Sequence, residues 1–191
     1  MANMLWALLS ILVLTIPLGI VGLLSVMFRW MDDRNPQPFA TFFGTIQRTW
    51  LRSYLVAVID ILIGGFLLVN LTILRQMESS NIMAFLSQAV TLFVVFVFIL
   101  TNIYIWTLIS IWDAPLKFIL KFSVQLVFAQ PLWSFAIGFS IVSSLIFSMI
   151  FPAAIYVFCM GAIVAYIACK GTWFVVKKYI SPQQFALIDV S

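Results

Sequence analysis

The sequence contains no histidine and few charged residues of either sign. Only 8% of its 191 residues are charged, six of them acidic and ten basic, whereas 64% are hydrophobic. A soluble domain usually carries about a quarter charged residues, so this chain lacks the polar side chains needed to cover itself in water. The long uncharged runs therefore predict an all-α integral membrane protein without a sizeable soluble domain.

The same scarcity leaves little for catalysis or metal binding. Without histidine, the commonest metal ligand and the commonest general base are missing. The two cysteines, Cys159 and Cys169, are spaced unlike a metal-binding pair and are predicted to be small apolar interior residues. Asp32 and Asp33 are adjacent beside arginines and are predicted to form a solvated turn. We expect no enzyme activity, no cofactor, no metal and no nucleic-acid binding.

Long apolar runs predict a bundle of about five transmembrane helices, since a spanning helix needs about 20 largely apolar residues. The predicted spans are residues 4–28, 54–74, 85–111, 132–151 and 153–170. The first contains Pro17, where we expect a bend. The last two are joined only around Pro152, which predicts an antiparallel hairpin.

The basic residues predict the orientation of this bundle. With the N-terminus outside, nine of the ten lysines and arginines fall in cytoplasmic junctions or in the tail, and Arg75 alone lies outside. This distribution follows the positive-inside rule and independently favours an odd number of spans. The C-terminus is therefore predicted to be cytoplasmic.

Two cytoplasmic junctions, residues 39–52 and 115–127, show apolar residues at helical spacing with basic residues elsewhere on the wheel. Each predicts an amphipathic helix at the membrane surface. Together they suggest a cytoplasmic face for docking or lipid contact. Its candidate residues are Arg29, Trp30, Arg34, Arg48, Trp50, Arg52, Lys117 and Lys121.

Asp60 is the one acid predicted to lie inside the hydrocarbon. An ionised aspartate near a helix centre costs about 3 kcal/mol on translocon scales. Asn102 is a candidate partner, and Ser140 and Ser144 form a polar stripe on the fourth span. One interpretation is a proton, cation or substrate site. The other is a hydrogen-bonded aspartate and a serine stripe that lock helix packing.

Several segments together carry a resemblance to a known family. The chain begins with an N-x-L-W pattern at Asn3, Leu5 and Trp6, and continues through "IPLGIVG" and "VMFRWM" to "PFATFFGTIQRTWLRSY". Later it contains "LKFILKFSVQLVFAQPLW" and "FPAAIYVF". Over nearly its whole length it resembles the YesL-like family of small bacterial membrane proteins, a domain of unknown function. The resemblance implies a bacterial inner-membrane location.

The resemblance also bears on function, because such proteins are often encoded beside carbohydrate uptake systems and glycan-degrading enzymes. It implies a non-enzymatic accessory protein of carbohydrate uptake or its regulation, with a carbohydrate ATP-binding cassette permease or another membrane protein as candidate partner. It brings no ligand or catalytic residue. The alternative hypothesis is a small transporter or channel that uses Asp60 and the polar helix faces. The sequence leaves the oligomeric state open.

Overall fold

The computed structural model describes residues 15–31, 37–76, 82–148 and 153–179. Within these ranges all regular secondary structure longer than a single turn is α-helical, which confirms the all-α prediction. The helices are α1 (Ile16–Met31), α2 (Pro38–Gln76), α3 (Ile82–Ile111), α4 (Leu116–Ala129), α5 (Pro131–Ser148) and α6 (Ala153–Val176).

Two of these helices are long and apolar enough to cross a bilayer. They contain the candidate spans Pro38–Leu74 and Phe85–Ile111. The α4–α5 pair, bent by 100°, makes a third if it is counted as one broken span. Shorter apolar stretches are α1 and Gly161–Val176. Residues 4–14 of the first predicted span, and residues 149–152 around Pro152, lie outside the described residues.

The predicted surface helix 39–52 and the predicted span 54–74 form one uninterrupted helix. At 39 residues, α2 is about 58 Å long, nearly twice the thickness of a hydrocarbon core of about 30 Å. The predicted boundary between these two segments was placed where the charged residues end and the uncharged run begins. Neither proline nor glycine lies between Thr45 and Ile63, so nothing in the chain stops helix propagation there.

The first half of α2 buries its hydroxyl side chains and Phe42, and exposes three of its other aromatic side chains. The buried hydroxyl residues recur every four positions at Thr41, Thr45, Thr49 and Ser53. Thr45 and Thr49 each donate to the carbonyl one turn back, at 2.9 and 2.8 Å. These local bonds let the hydroxyls pack without an external partner. The exposed aromatic residues are Phe39, Phe43 and Trp50. Such an apolar exterior suits lipid better than water.

The centre of the bundle is α3, which packs against every other described helix. Tyr104 and Ser134 share a hydrogen bond of 2.8 Å between α3 and α5. One turn away, Gly138 lies so close to Leu100 that an added Cβ would be 2.7 Å from its side chain. From one contact to the next the residue number falls on α3 and rises on α5, so the two helices run antiparallel.

Helices α5 and α6 form the antiparallel hairpin that their short connection predicts. Trp133 packs on Phe174 with ring centroids 4.6 Å apart, and Ile137 covers Gly171. By contrast, α1 runs parallel to α6. Cys169 donates through sulfur to the Leu24 carbonyl at 3.4 Å, and Phe28 packs edge-to-face on Trp173. From the first contact to the second the residue number rises by four on both helices, so α1 and α6 run in the same direction.

Beyond Asp60, α2 and α3 extend together as an arm that the other described helices leave largely uncovered. We define this arm as residues 61–74 of α2 and 82–99 of α3. Most of its large apolar side chains are exposed, including Ile61 at 73%, Phe66 at 70% and Phe93 at 60%. A surface of this size and composition requires lipid or another membrane protein around it.

Packing at the α5–α6 contact supplies a test of the fold. In Gly171→Val the new Cβ would lie 2.5 Å from the Ile137 side chain. Overpacking of this kind costs about 1–3 kcal/mol, so we expect a lower midpoint of thermal unfolding in detergent. Adding Ile137→Ala should restore part of the loss.

Gly65→Val is the matched control, because no atom lies within 4 Å of a Cβ added at Gly65. It should change the midpoint far less. If the two valine variants unfold at the same temperature, the described α5–α6 contact is wrong.

Candidate functional site

Asp60 lies half-buried on α2 and is held by α3. The indole Nε1 of Trp106 donates a hydrogen bond of 3.1 Å to Asp60 Oδ2. The side chain of Asn102, one turn before Trp106, interacts with the same carboxyl group. Residues four apart share a helix face, which explains how one face of α3 supplies both groups. The structure thus brings together Asp60 and Asn102, as the sequence predicted.

The same site contains an unsatisfied acceptor. Asn102 Nδ2 donates to the carbonyl of Phe98 at 3.3 Å, while its Oδ1 is enclosed and has no hydrogen-bond partner among the described residues. Within those residues no lysine or arginine pairs with Asp60. The enclosed Oδ1 of Asn102 is therefore an acceptor that a small hydrogen-bond donor can use. The site has no second acid or base for a relay in the described part of the chain.

Ser140 and Ser144 do not join this site. Their hydroxyls donate to the carbonyls of Ala136 and Ser140 on their own helix, both at 2.8 Å. No hydrogen bond links them to Asp60 or Asn102 in the described ranges. Both hydroxyls form local hydroxyl-to-backbone bonds, and Ser140 is exposed on α5.

Polar pairs tie α2 to α3 at three levels. Arg52 forms an ion pair with Asp113, Asp60 accepts from Trp106, and Asn70 donates to Thr91 at 3.3 Å. The partners on α3, and Asp113 just after its end, descend in number as those on α2 rise, so the two helices are antiparallel. Polar bonds between helices contribute about 0.6 kcal/mol on average in a membrane, but they fix rotation and register.

A cluster of arginines lies where α1, α2 and the end of α3 meet. We call Arg29, Arg48, Arg52 and Asp113 the arginine cluster. Arg48 is half-buried and feels the charges of the other three members. Trp30 and Trp50, 69% and 54% exposed, lie beside cluster members along the chain. Amphipathic rings of this kind anchor at headgroup depth.

The other predicted members of the cytoplasmic face stand apart. Lys117 and Lys121 are exposed on α4, whose buried residues are Ile119, Ser123, Leu126 and Val127. Neither lysine contributes to the electrostatic environment of Arg48. Arg34, with Asp32 and Asp33, lies outside the described residues.

Sequence reasoning missed two partners in these sites, Trp106 and Asp113. Trp106 lies one helical turn from Asn102, so helical spacing from that candidate partner points to it. Asp113 follows the third predicted span on the side where the arginines are predicted, and a single acid there is a natural ion-pair partner. Neither signal fixes which face of α2 meets α3.

The apolar helices described above are compatible with a multi-pass membrane protein, and comparison with known proteins adds a resemblance to a family. Residues 1–71 match the family model described as "Protein of unknown function, DUF624". Over 134 residues the chain is 25% identical to "Uncharacterized protein YesL" of Bacillus subtilis, covering 68% of this chain and 61% of that relative. These matches confirm the predicted resemblance to the YesL-like family. The chain spans less than two thirds of that relative's length. No solved structure matches the chain.

The Asp60–Trp106 bond can be tested by substitutions that differ in hydrogen-bonding capacity. Asp60→Leu leaves the Trp106 N–H without its acceptor and should lower the free energy of unfolding by about 1 kcal/mol or more. Asp60→Asn keeps a carbonyl acceptor and should cost less. The measurement is thermal unfolding of each purified variant in the same detergent.

Trp106→Phe, combined with Asp60→Leu, serves as the control because it removes the orphaned donor. The double variant should be no less stable than Asp60→Leu alone. An Asp60→Leu protein as stable as Asp60→Asn would contradict the described bond.

Proposed function

We propose that this protein is a non-enzymatic accessory protein of the bacterial inner membrane that docks on a carbohydrate permease or its regulator. The observation that carries the proposal is the arm of α2 and α3, whose apolar surface the other described helices leave uncovered. The resemblance to the YesL-like family supplies the link to carbohydrate uptake. A polytopic permease has apolar membrane helices of its own, and these would match the apolar surface of the arm.

Two glycines favour a protein helix over lipid as the neighbour of the arm. Gly65 has no atom within 4 Å of an added Cβ, and Gly64 has only the ring of Phe98 at 3.8 Å. Small residues let the backbones of two membrane helices approach closely. The exposed Gly65, next to the half-buried Gly64, gives a second helix a place to pack within an otherwise bulky apolar surface.

The proposed topology has five spans, with the N-terminus outside and the C-terminus in the cytoplasm. The antiparallel contacts between α2 and α3, α3 and α5, and α5 and α6 support it, since successive spans must alternate in direction. The parallel contact of α1 with α6 fits the same arrangement. We place α4 on the cytoplasmic surface, which accounts for its sharp bend to α5 and for the exposure of Lys117 and Lys121.

Site-specific photocrosslinking tests the docking role. A benzoyl-phenylalanine at Phe66, which is 70% exposed on the arm, should crosslink to a permease component in native membranes during growth on an inducing carbohydrate. The crosslinked species is identified by mass spectrometry after purification.

Phe139 on α5 is the matched control, since it is the same residue type and 64% exposed. A protein adduct at residue 66 and only lipid adducts at residue 139 are expected. Lipid adducts alone at both positions would contradict docking through the arm.

The alternative function, a small transporter or channel, is favoured by the Asp60–Asn102 site. We expect purified protein in liposomes to show no proton- or carbohydrate-linked flux above empty liposomes, because the described residues offer no relay beyond Asp60. Asp60→Asn serves as the comparison. Flux by the unaltered protein that disappears in Asp60→Asn would overturn the accessory role and establish the transporter.

A further inference from the structure

The outer side of α4 combines two cations with two apolar side chains. These residues follow one another at intervals of four, three and four positions, so they share one side of the helix: Lys117, Lys121, Val124 and Phe128. All four are exposed, Phe128 at 61%, whereas the buried residues of α4 lie on its opposite side. Water suits the lysines and hydrocarbon suits the other two, and the boundary between lipid headgroups and acyl chains suits both.

The end of α6 brings two further lysines close to α4. Tyr179 Oη accepts a hydrogen bond of 2.9 Å from Gln130 Nε2 and donates one of 3.4 Å to the Ala129 carbonyl. The turn that follows α6 therefore lies against the end of α4, and Lys177 and Lys178 in that turn are exposed. We define the lysine surface as Lys117, Lys121, Lys177 and Lys178.

The lysine surface is not neutralised by an acid among the described residues. One of the two described acids, Asp60, is bonded to Trp106. The other, Asp113, is paired with Arg52. The sequence after residue 179 contains one acid, Asp189, and no lysine or arginine. One carboxylate from that stretch cannot balance four ammonium groups, so the surface keeps a positive charge.

We propose that the lysine surface binds anionic phospholipid headgroups of the cytoplasmic leaflet. The exposed Val124 and Phe128 favour lipid over an acidic protein segment, because they share their side of α4 with two lysines and suit the apolar boundary below the headgroups. Near a membrane surface each lysine strengthens the attraction to anionic lipid about fivefold. The inference rests on the proposed placement of α4 at the cytoplasmic surface and is independent of the docking role of the arm.

Photocrosslinking of the purified full-length protein tests this contact with no partner protein present. A benzoyl-phenylalanine replaces Phe128, and the protein is reconstituted in vesicles of equimolar phosphatidylglycerol and phosphatidylcholine. Mass spectrometry compares the adducts, and those of phosphatidylglycerol should be in excess about fivefold or more. Phe139 on α5, 64% exposed and outside the lysine surface, is the matched control and should crosslink both lipids equally.

Substitutions and salt show whether the lysines cause the preference. Glutamine at all four positions should bring the lipid ratio at residue 128 close to that at residue 139, whereas arginine at all four should preserve it. Sodium chloride at about 0.5 M should lower the ratio in the protein with its lysines intact, since exposed charges are screened. Both sets of substitutions should leave the midpoint of thermal unfolding unchanged, because the four side chains are exposed.

Several results would overturn the proposal. Absence of lipid adducts at residue 128 would place the outer side of α4 in water. A ratio at residue 128 equal to that at residue 139, a ratio that survives the glutamine substitutions or the added salt, or an equal loss in the arginine variant would also contradict it. None of these results depends on the crosslink at residue 66 in native membranes, so the two proposals fail separately.

Discussion

Asp60 on α2 accepts a hydrogen bond from the indole of Trp106 on α3, 46 residues away in sequence. A half-buried carboxyl group among apolar helices is costly unless it meets a donor, and that need constrains the rotation of α2 against α3. The other two polar ties follow from it. Arg52 lies eight residues before Asp60 and Asn70 ten residues after it, about 12 and 15 Å along the helix. The three ties together cover nearly the thickness of a hydrocarbon core.

The rotation set by this bond decides what each end of the α2–α3 pair offers. At one end this rotation places Arg52 next to Asp113 and Arg48 within electrostatic range of Arg29. These residues form the arginine cluster. At the other end the rotation leaves the apolar arm uncovered, with Gly64 and Gly65 open to a neighbour. The arginine cluster and the proposed docking surface are therefore the two ends of one pair of helices.

Composition and periodicity were sufficient for the helical class, the long apolar segments and the hairpin of α5 and α6, and they suggested Asn102 as a candidate partner of Asp60. They did not predict that residues 39–52 continue without a break into the next predicted span, because a change in charge is not a helix terminator. They also did not predict which side of α2 faces inward. In its first half Thr41, Thr45 and Thr49 are buried and Phe39 and Phe43 are exposed, the reverse of the usual arrangement in water, whereas Phe42 is buried. Trp106 and Asp113 were missed because their roles depend on the relative rotation of two helices, which no local pattern encodes.

Rotational-echo double-resonance NMR in proteoliposomes measures the central contact directly. With ¹⁵N in the tryptophan indoles and ¹³C in the aspartate carboxyl carbons, a hydrogen bond between the two groups places the nuclei about 4 Å apart. The account predicts dephasing at that distance in the unaltered protein and loss of the corresponding contribution in Asp60→Leu. Identical dephasing curves for the two proteins would contradict it, because Asp60 would then not be bonded to an indole.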